Sequence, residues 1–296
     1  MKFCYKIELE KQHRKDDLYM KKSINIWSFV GKTNREAMKI AKDAGFEGIE
    51  LALGAEGEIT MTSTDEELLS IKAYAEELGL KLPSLSCGLC WDNSLTSDDP
   101  EVRQKAFDVI VRQIYCAKVL GCETILIIPG TVYVPFAEHL GVVDYDVAYD
   151  RALEAVKKLA PIAEEAGIQI GLENVWNSFL LSPLEFRDFI DKVGSPNVGI
   201  YLDTGNMRIS GYPEQWIKIM GKRIFKVHFK DFRVSCSDMV DLLAGDVDWP
   251  KVMAAFKAVG YDGWASAEMI PAYTHASTQI VYNTSASMDR IMKGDF

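Results

Sequence analysis

Residues 167–207 read GIQIGLENVWNSFLLSPLEFRDFIDKVGSPNVGIYLDTGNM. Two short runs, Ile168–Val175 and Val198–Asp203, enclose a longer amphipathic segment that opens on Ser182-Pro183-Leu184-Glu185. A serine hydroxyl before the first turn, a proline inside it and a glutamate three residues after the serine form a helix-starting signature. The flanking runs are apolar almost throughout, as parallel strands buried on both faces must be. The stretch therefore predicts strand, helix and parallel strand, with Glu173 and Asp203 at the ends of the two strands.

The same unit repeats along the chain. Further strand candidates are Ser23–Phe29, Phe46–Leu53, Lys81–Cys87, Thr124–Pro129, Phe225–Lys230 and Trp264–Met269. Between them lie helical segments over Asn34–Lys42, Thr64–Leu78 and Val147–Ala166, one opened by Asp99-Pro100-Glu101 and one by Asp248-Trp249-Pro250. The sequences KDAGF, EELGL, VLGCE, EEAGI and AVGYD each put a glycine between a helix end and the next strand. Eight such alternations in 296 residues predict an α/β chain folded as a single (β/α)8 barrel over residues 21–296. An open doubly wound sheet would carry a glycine-rich phosphate loop after its first strand, and Ser28-Phe29-Val30-Gly31-Lys32 is not one. Residues 1–20 precede the first strand and are expected to form an N-terminal extension.

Hydrophobic residues make up 48% and charged residues 26%, ordinary for a globular protein. A net charge of -10 repels nucleic acid and anionic membranes, so neither is an expected partner. The N-terminus has no apolar core of a signal peptide. Six cysteines at irregular spacing do not make a disulfide framework, and a reducing, cytoplasmic compartment is expected. Cys87 and Cys90 have CxxC spacing without a second pair, and packing explains them better than zinc or redox chemistry.

Active sites of such barrels sit at the C-terminal ends of the strands. Four consecutive strand candidates end in polar residues: Glu173-Asn174, Asp203-Thr204, His228-Phe229-Lys230-Asp231 and Glu268-Met269. Adjacent strands lie about 4.8 Å apart, so Glu173, Asp203, His228 and Glu268 can converge on one point. Three carboxylates and an imidazole suit Mn2+ or Mg2+, or Co2+, better than a structural Zn2+.

The motifs GLENVWN, YLDTGNM, KVHFKDF, GDVDWPKVMAAFKAVGYDGW and SAEM resemble the xylose-isomerase-like sugar phosphate isomerases and epimerases. The resemblance runs from about Ile24 onward. Within that group the chain looks most like the ketose 3-epimerases of the L-ribulose-5-phosphate and D-tagatose/D-psicose types. It implies a divalent metal, Mn2+ first, on Glu173, Asp203, His228 and Glu268. It also implies Glu173 and Glu268 as the two proton-transfer groups around a cis-enediolate, and a homodimer or homotetramer. The substrate would be a sugar or sugar phosphate. Trp27, with Phe29, is expected to wall the pocket. Glu50 is expected to point at substrate or at a basic partner, with Trp176, Asn177 and Asn206 near the sugar. Lys230, Arg233 and Arg208 are candidates for phosphate or hydroxyl binding, with solvated surface cations as the other reading.

Two departures favour the pentulose-phosphate type over a free ketohexose. The loop from Asn174 to Leu184 lacks the extra glutamate of the D-tagatose type, and Asn206 stands where that type has histidine. Hydroxypyruvate isomerases, inosose or 3-dehydroshikimate-type dehydratases and C-glycoside deglycosidase subunits keep a similar metal set and stay open as alternatives. So does a sugar-binding protein with a vestigial site. An endonuclease IV-type repair enzyme needs a histidine-rich site and a basic groove, which four histidines and a charge of -10 do not supply.

Overall fold

The structure, a computed structural model, describes residues 20–270 and 273–296. In chain order the elements are β1 (Lys21–Asn25), α1 (Asn34–Asp43), β2 (Gly48–Leu53), α2 (Asp65–Glu77), β3 (Ser84–Cys87), α3 (Pro100–Leu120), β4 (Thr124–Ile127), α4 (Tyr145–Ala166), β5 (Gln169–Glu173) and α5 (Pro183–Val193). They continue with β6 (Val198–Asp203), α6 (Thr204–Arg208), α7 (Pro213–Met220), β7 (Ile224–Phe229), β8 (Asp231–Arg233), β9 (Asp238–Val240), α8 (Trp249–Val259), β10 (Trp264–Ala267) and α9 (Gln279–Lys293).

Eight parallel strands close in the order β1-β10-β7-β6-β5-β4-β3-β2, giving the (β/α)8 barrel that the alternation predicts. Local chemistry sets the helix ends. Thr33 with Glu36, and Thr64 with Glu67, form reciprocal capping boxes at α1 and α2. Ser182 accepts from the Glu185 amide at α5, as the sequence predicts. Gly167 closes α4 at φ 72°, a left-handed turn that costs a residue without Cβ little.

The observed strands are mostly shorter than the apolar runs. The first stops at Asn25, whose side chain accepts from the Trp27 amide and turns Ile26–Ser28 into a 3-10 helix. The segment after β7 also departs from a plain strand-to-helix link, because β8 and β9 form an antiparallel hairpin. Asp231 anchors it from below, accepting from the amides of Phe232, Leu243 and Val247 and from Trp249 Nε1 at 2.9–3.1 Å. A Cβ at Gly245 would stand 2.1 Å from Asp231 Oδ1, so only glycine lets the loop close over this carboxylate.

The expected N-terminal extension, with Cys4 and His13, lies outside the described residues apart from Met20, which is buried. Among the described residues no helix is long and apolar enough to cross a membrane.

Candidate metal centre

Glu173 and Asp203 are the last residues of β5 and β6, His228 lies near the end of β7, and Glu268 follows β10 directly. Each offers one ligand atom, and these atoms all lie within 4.8 Å of one another. His228 Nδ1 is 3.5 Å from Glu173 Oε1, 3.8 Å from Asp203 Oδ2 and 3.7 Å from Glu268 Oε2. All four residues are buried.

The strand ends are tied to each other. Asn174 donates to the Asp203 carbonyl and accepts from the Asp203 amide, clamping β5 to β6. Thr204 Oγ1 donates to the Lys230 carbonyl at 2.7 Å, clamping β6 to β7. Asp203 Oδ1 accepts from the Asn206 amide at 2.7 Å and caps α6, which leaves Oδ2 facing the cluster.

Beneath the cluster the barrel interior is polar. Glu50 is fully buried and accepts from Asn25 Nδ2 at 2.5 Å, Ser86 Oγ at 2.5 Å, Ser84 Oγ and Tyr201 OH. His228 Nε2 stands 2.9 Å from the same carboxylate. A carboxylate only accepts, so Nε2 carries the proton and donates, and Nδ1 turns to the three carboxylates. Tyr201 reaches this layer because Gly171 on the neighbouring strand has no side chain; a Cβ there would lie 3.1 Å from the tyrosine.

A divalent cation fits this donor set. Asp203 Oδ2 and His228 Nδ1 are both buried and have no hydrogen-bond partner, although each is a strong polar atom. Both face the point shared with Glu173 and Glu268. A histidine fixed by a carboxylate on its far nitrogen is the usual outer support of a metal ligand. Oxygen-rich donors suit a hard ion.

The charges are strongly coupled. Burial, with the neighbouring Glu268 charge, pushes Glu173 up to about 7. Burial also raises Asp203. Burial acts on Glu268 in the same sense, but the Lys230 ammonium and His228 outweigh it and hold Glu268 below its ordinary value. Lys230 contacts Glu268 directly, lies 3.6 Å from Asp203 Oδ2 and is raised by these carboxylates against its burial. His228 is raised despite burial by Glu50, Glu173 and Glu268.

Metal binding must therefore expel protons, because a ligating Glu173 is ionised and a ligating His228 is neutral at Nδ1. The sign is fixed by the raised values: below pH 7 the proton on Glu173 competes with the ion. Divalent-cation affinity should rise about tenfold per pH unit on account of the Glu173 proton as pH climbs toward 7, and that contribution should level off above it. Calorimetric titration between pH 6 and 8 checks this, and a flat affinity would refute the proton-coupled site.

Above the cluster opens a cavity of about 400 Å3. Of the expected substrate contacts, Trp27, Trp176, Asn206 and Lys230 line it, together with Glu173 and Glu268. Asn206 also donates its amide to the Asn174 carbonyl. Five expected contacts are not among the lining residues. Glu50 lies below the cluster as the support of His228, because it sits in mid-strand rather than at a strand end. Asn177 is turned into the loops, donating to the Gly130 carbonyl and accepting from the Phe179 amide. Arg233 is exposed on the hairpin and donates to the Ala244 carbonyl. Arg208 likewise donates to the Asp246 carbonyl and lies over the Tyr212 ring, and Phe29 is buried in the core.

Cys87 and Cys90 are free thiols on the cavity wall. Burial pushes Cys87 up to about 11, and Cys90 donates to the Cys87 carbonyl at 3.1 Å, so neither is an activated thiolate. The stretch after β4 contributes Phe136 to the wall, whereas His139 is exposed and does not line it. Trp91, Met239 and Ile270 complete the wall from loops and the hairpin, and no sequence pattern marks them.

The description xylose isomerase-like TIM barrel matches residues 38–286. The chain is 28% identical over 244 residues to an L-ribulose 3-epimerase of Methylomonas sp. (strain DH-1), spanning 80% of this chain and 78% of that one. It is 25% identical over 183 residues to an uncharacterized protein of Methanocaldococcus jannaschii, spanning 60% of this chain and 61% of that one. A crystal structure of D-psicose 3-epimerase in the presence of D-fructose superposes with a TM-score of 0.78 at 20% identity, covering 93% of this chain and all of that one. With most of its length inside the matched span, and eight strands closed into one barrel, the chain belongs to the xylose isomerase-like TIM barrel family.

Proposed function

We propose that the protein is a divalent-metal-dependent ketose 3-epimerase, with Mn2+ as its first-choice ion and Mg2+ or Co2+ as substitutes. One observation carries the reading: two carboxylates, Glu173 and Glu268, belong to the same cluster and both border the cavity. A bound divalent ion would supply Lewis acidity toward the substrate carbonyl. Inversion at the carbon beside a carbonyl needs a base on one face and an acid on the other. One glutamate takes the proton as the C–H bond breaks and its electron pair moves toward the carbonyl. The other gives a proton to the opposite face, and the return reaction exchanges their roles. Lys230 holds Glu268 ionised and ready to accept. The relative named as an L-ribulose 3-epimerase supports the same class of chemistry.

The test is deuterium uptake from heavy water into ketopentoses, ketohexoses and their phosphates with Mn2+ present. Deuterium at the carbon next to the carbonyl, accompanied by the epimer, is the expected result. No exchange into any of them, with metal demonstrably bound, would overturn the epimerase and direct the search to dehydration of cyclic keto-polyols.

A further inference from the structure

The cavity wall above the two glutamates is dominated by apolar side chains. Trp27, Trp91, Phe136 and Trp176 give it four aromatic rings, with Leu126 and Ile128 behind them. Trp91 and Phe136 pack edge to face at 4.8 Å, so the rings form a built surface rather than scattered side chains. The surface continues to the mouth, where Phe136 is 61% exposed. An apolar lining that runs from a buried polar cluster out to open solvent marks a site for a ligand polar at one end and apolar at the other.

The charges agree. Lys230 is the single cation among the described residues that line the cavity, and its ammonium is engaged by Glu268 and Asp203. Arg208 and Arg233, the other candidates for a phosphate, are turned to backbone carbonyls. With Lys230 already paired, no second cation among the described lining residues is left to receive a dianion. We infer that the substrate is an unphosphorylated sugar carrying an apolar, ring-sized substituent, such as an aryl ether, at the end distant from the metal cluster. The inference rests on the ketose reading for the sugar end and on the aromatic wall for the other.

Three ligands that differ only at the far end test it: L-ribulose, its 5-phosphate and its 5-O-phenyl ether. Affinity is measured by calorimetry on the Mn2+-loaded full chain, and solvent deuterium uptake is followed separately. Burying a phenyl ring should tighten binding of the ether about 10- to 100-fold over the parent sugar, with the phosphate weakest. Phe136→Ala, at an exposed position that the fold does not depend on, should cut this preference severalfold. A phosphate that binds as tightly as the ether, an ether no tighter than the parent, or no binding of any of the three overturns the inference. Tight ether binding without deuterium uptake in any ligand leaves the inference standing and sinks the epimerase reading. Exchange into the parent or the phosphate with the ether excluded does the reverse.

Discussion

Glu268→Gln should leave a folded barrel and lower kcat for epimerisation by about 10^3- to 10^4-fold, the scale of a positioned acid–base group. Glutamine has the same shape, so the 5% exposed site stays filled and the β10 end keeps its place. It cannot take or give the proton, and it removes the carboxylate that Lys230 contacts. Loss of a ligand charge also weakens the metal, so the assay must be run at saturating Mn2+, with occupancy measured. A second readout separates lost chemistry from lost metal. With Glu173 intact, one epimer should still take up solvent deuterium on the face that Glu173 serves, while the other epimer does not form. Turnover at the wild-type rate would sink the two-glutamate mechanism. Loss of exchange in both epimers at full occupancy would mean that Glu268 alone handles both faces.

The barrel and the meeting of four polar strand-end residues are legible in the sequence for one physical reason. In parallel strands covered on both faces, apolar runs stop where the chain reaches the open end of the barrel. The polar residues just there, Glu173, Asp203, His228 and Glu268, stand at the active face. Glu50 shows the limit of that rule. It lies inside GIELAL, three residues before the strand ends, so it belongs to the layer below the cavity. Its partners come from β1, β3, β6 and β7, and a linear pattern does not reveal that five groups from four strands meet on one carboxylate. A signal is nevertheless present, since Ser84, Ser86 and Tyr201 put hydroxyls inside β3 and β6 and Asn25 ends β1. Arg233 misleads in the opposite way: it follows the strand that carries His228, but the hairpin turns it outward. Trp91, Phe136, Met239 and Ile270 come from loops and the hairpin, where no periodicity aims a side chain, so the apolar wall appears only in three dimensions.

The polar layer makes its own prediction, because His228 is only as well placed as the carboxylate beneath it. Glu50→Gln should weaken Mn2+ binding about 10- to 100-fold, the usual cost of removing the outer support of a metal ligand. The hydroxyls of Ser84, Ser86 and Tyr201 can rotate to accept from the new amide, and its oxygen still accepts from His228, so the fold should survive. Glu50→Ala offers no such adjustment. It leaves buried donors from Asn25 and His228 facing a void and should cost about 3–5 kcal/mol of stability, seen as a lowered Tm. Acid titration adds a sign. In the metal-free protein His228 and the two serine hydroxyls overcome burial and hold Glu50 down at about 2, below its ordinary 4.5. The folded state therefore binds fewer protons than the unfolded one. This stabilisation is complete above pH 4.5 and is lost as pH falls from 4.5 through 2. Glu50→Gln should flatten the stability curve in that window while lowering its plateau. Wild-type metal affinity in Glu50→Gln would show that His228 is oriented by the strand alone, and the buried carboxylate would then be a structural anchor without a share in the metal site.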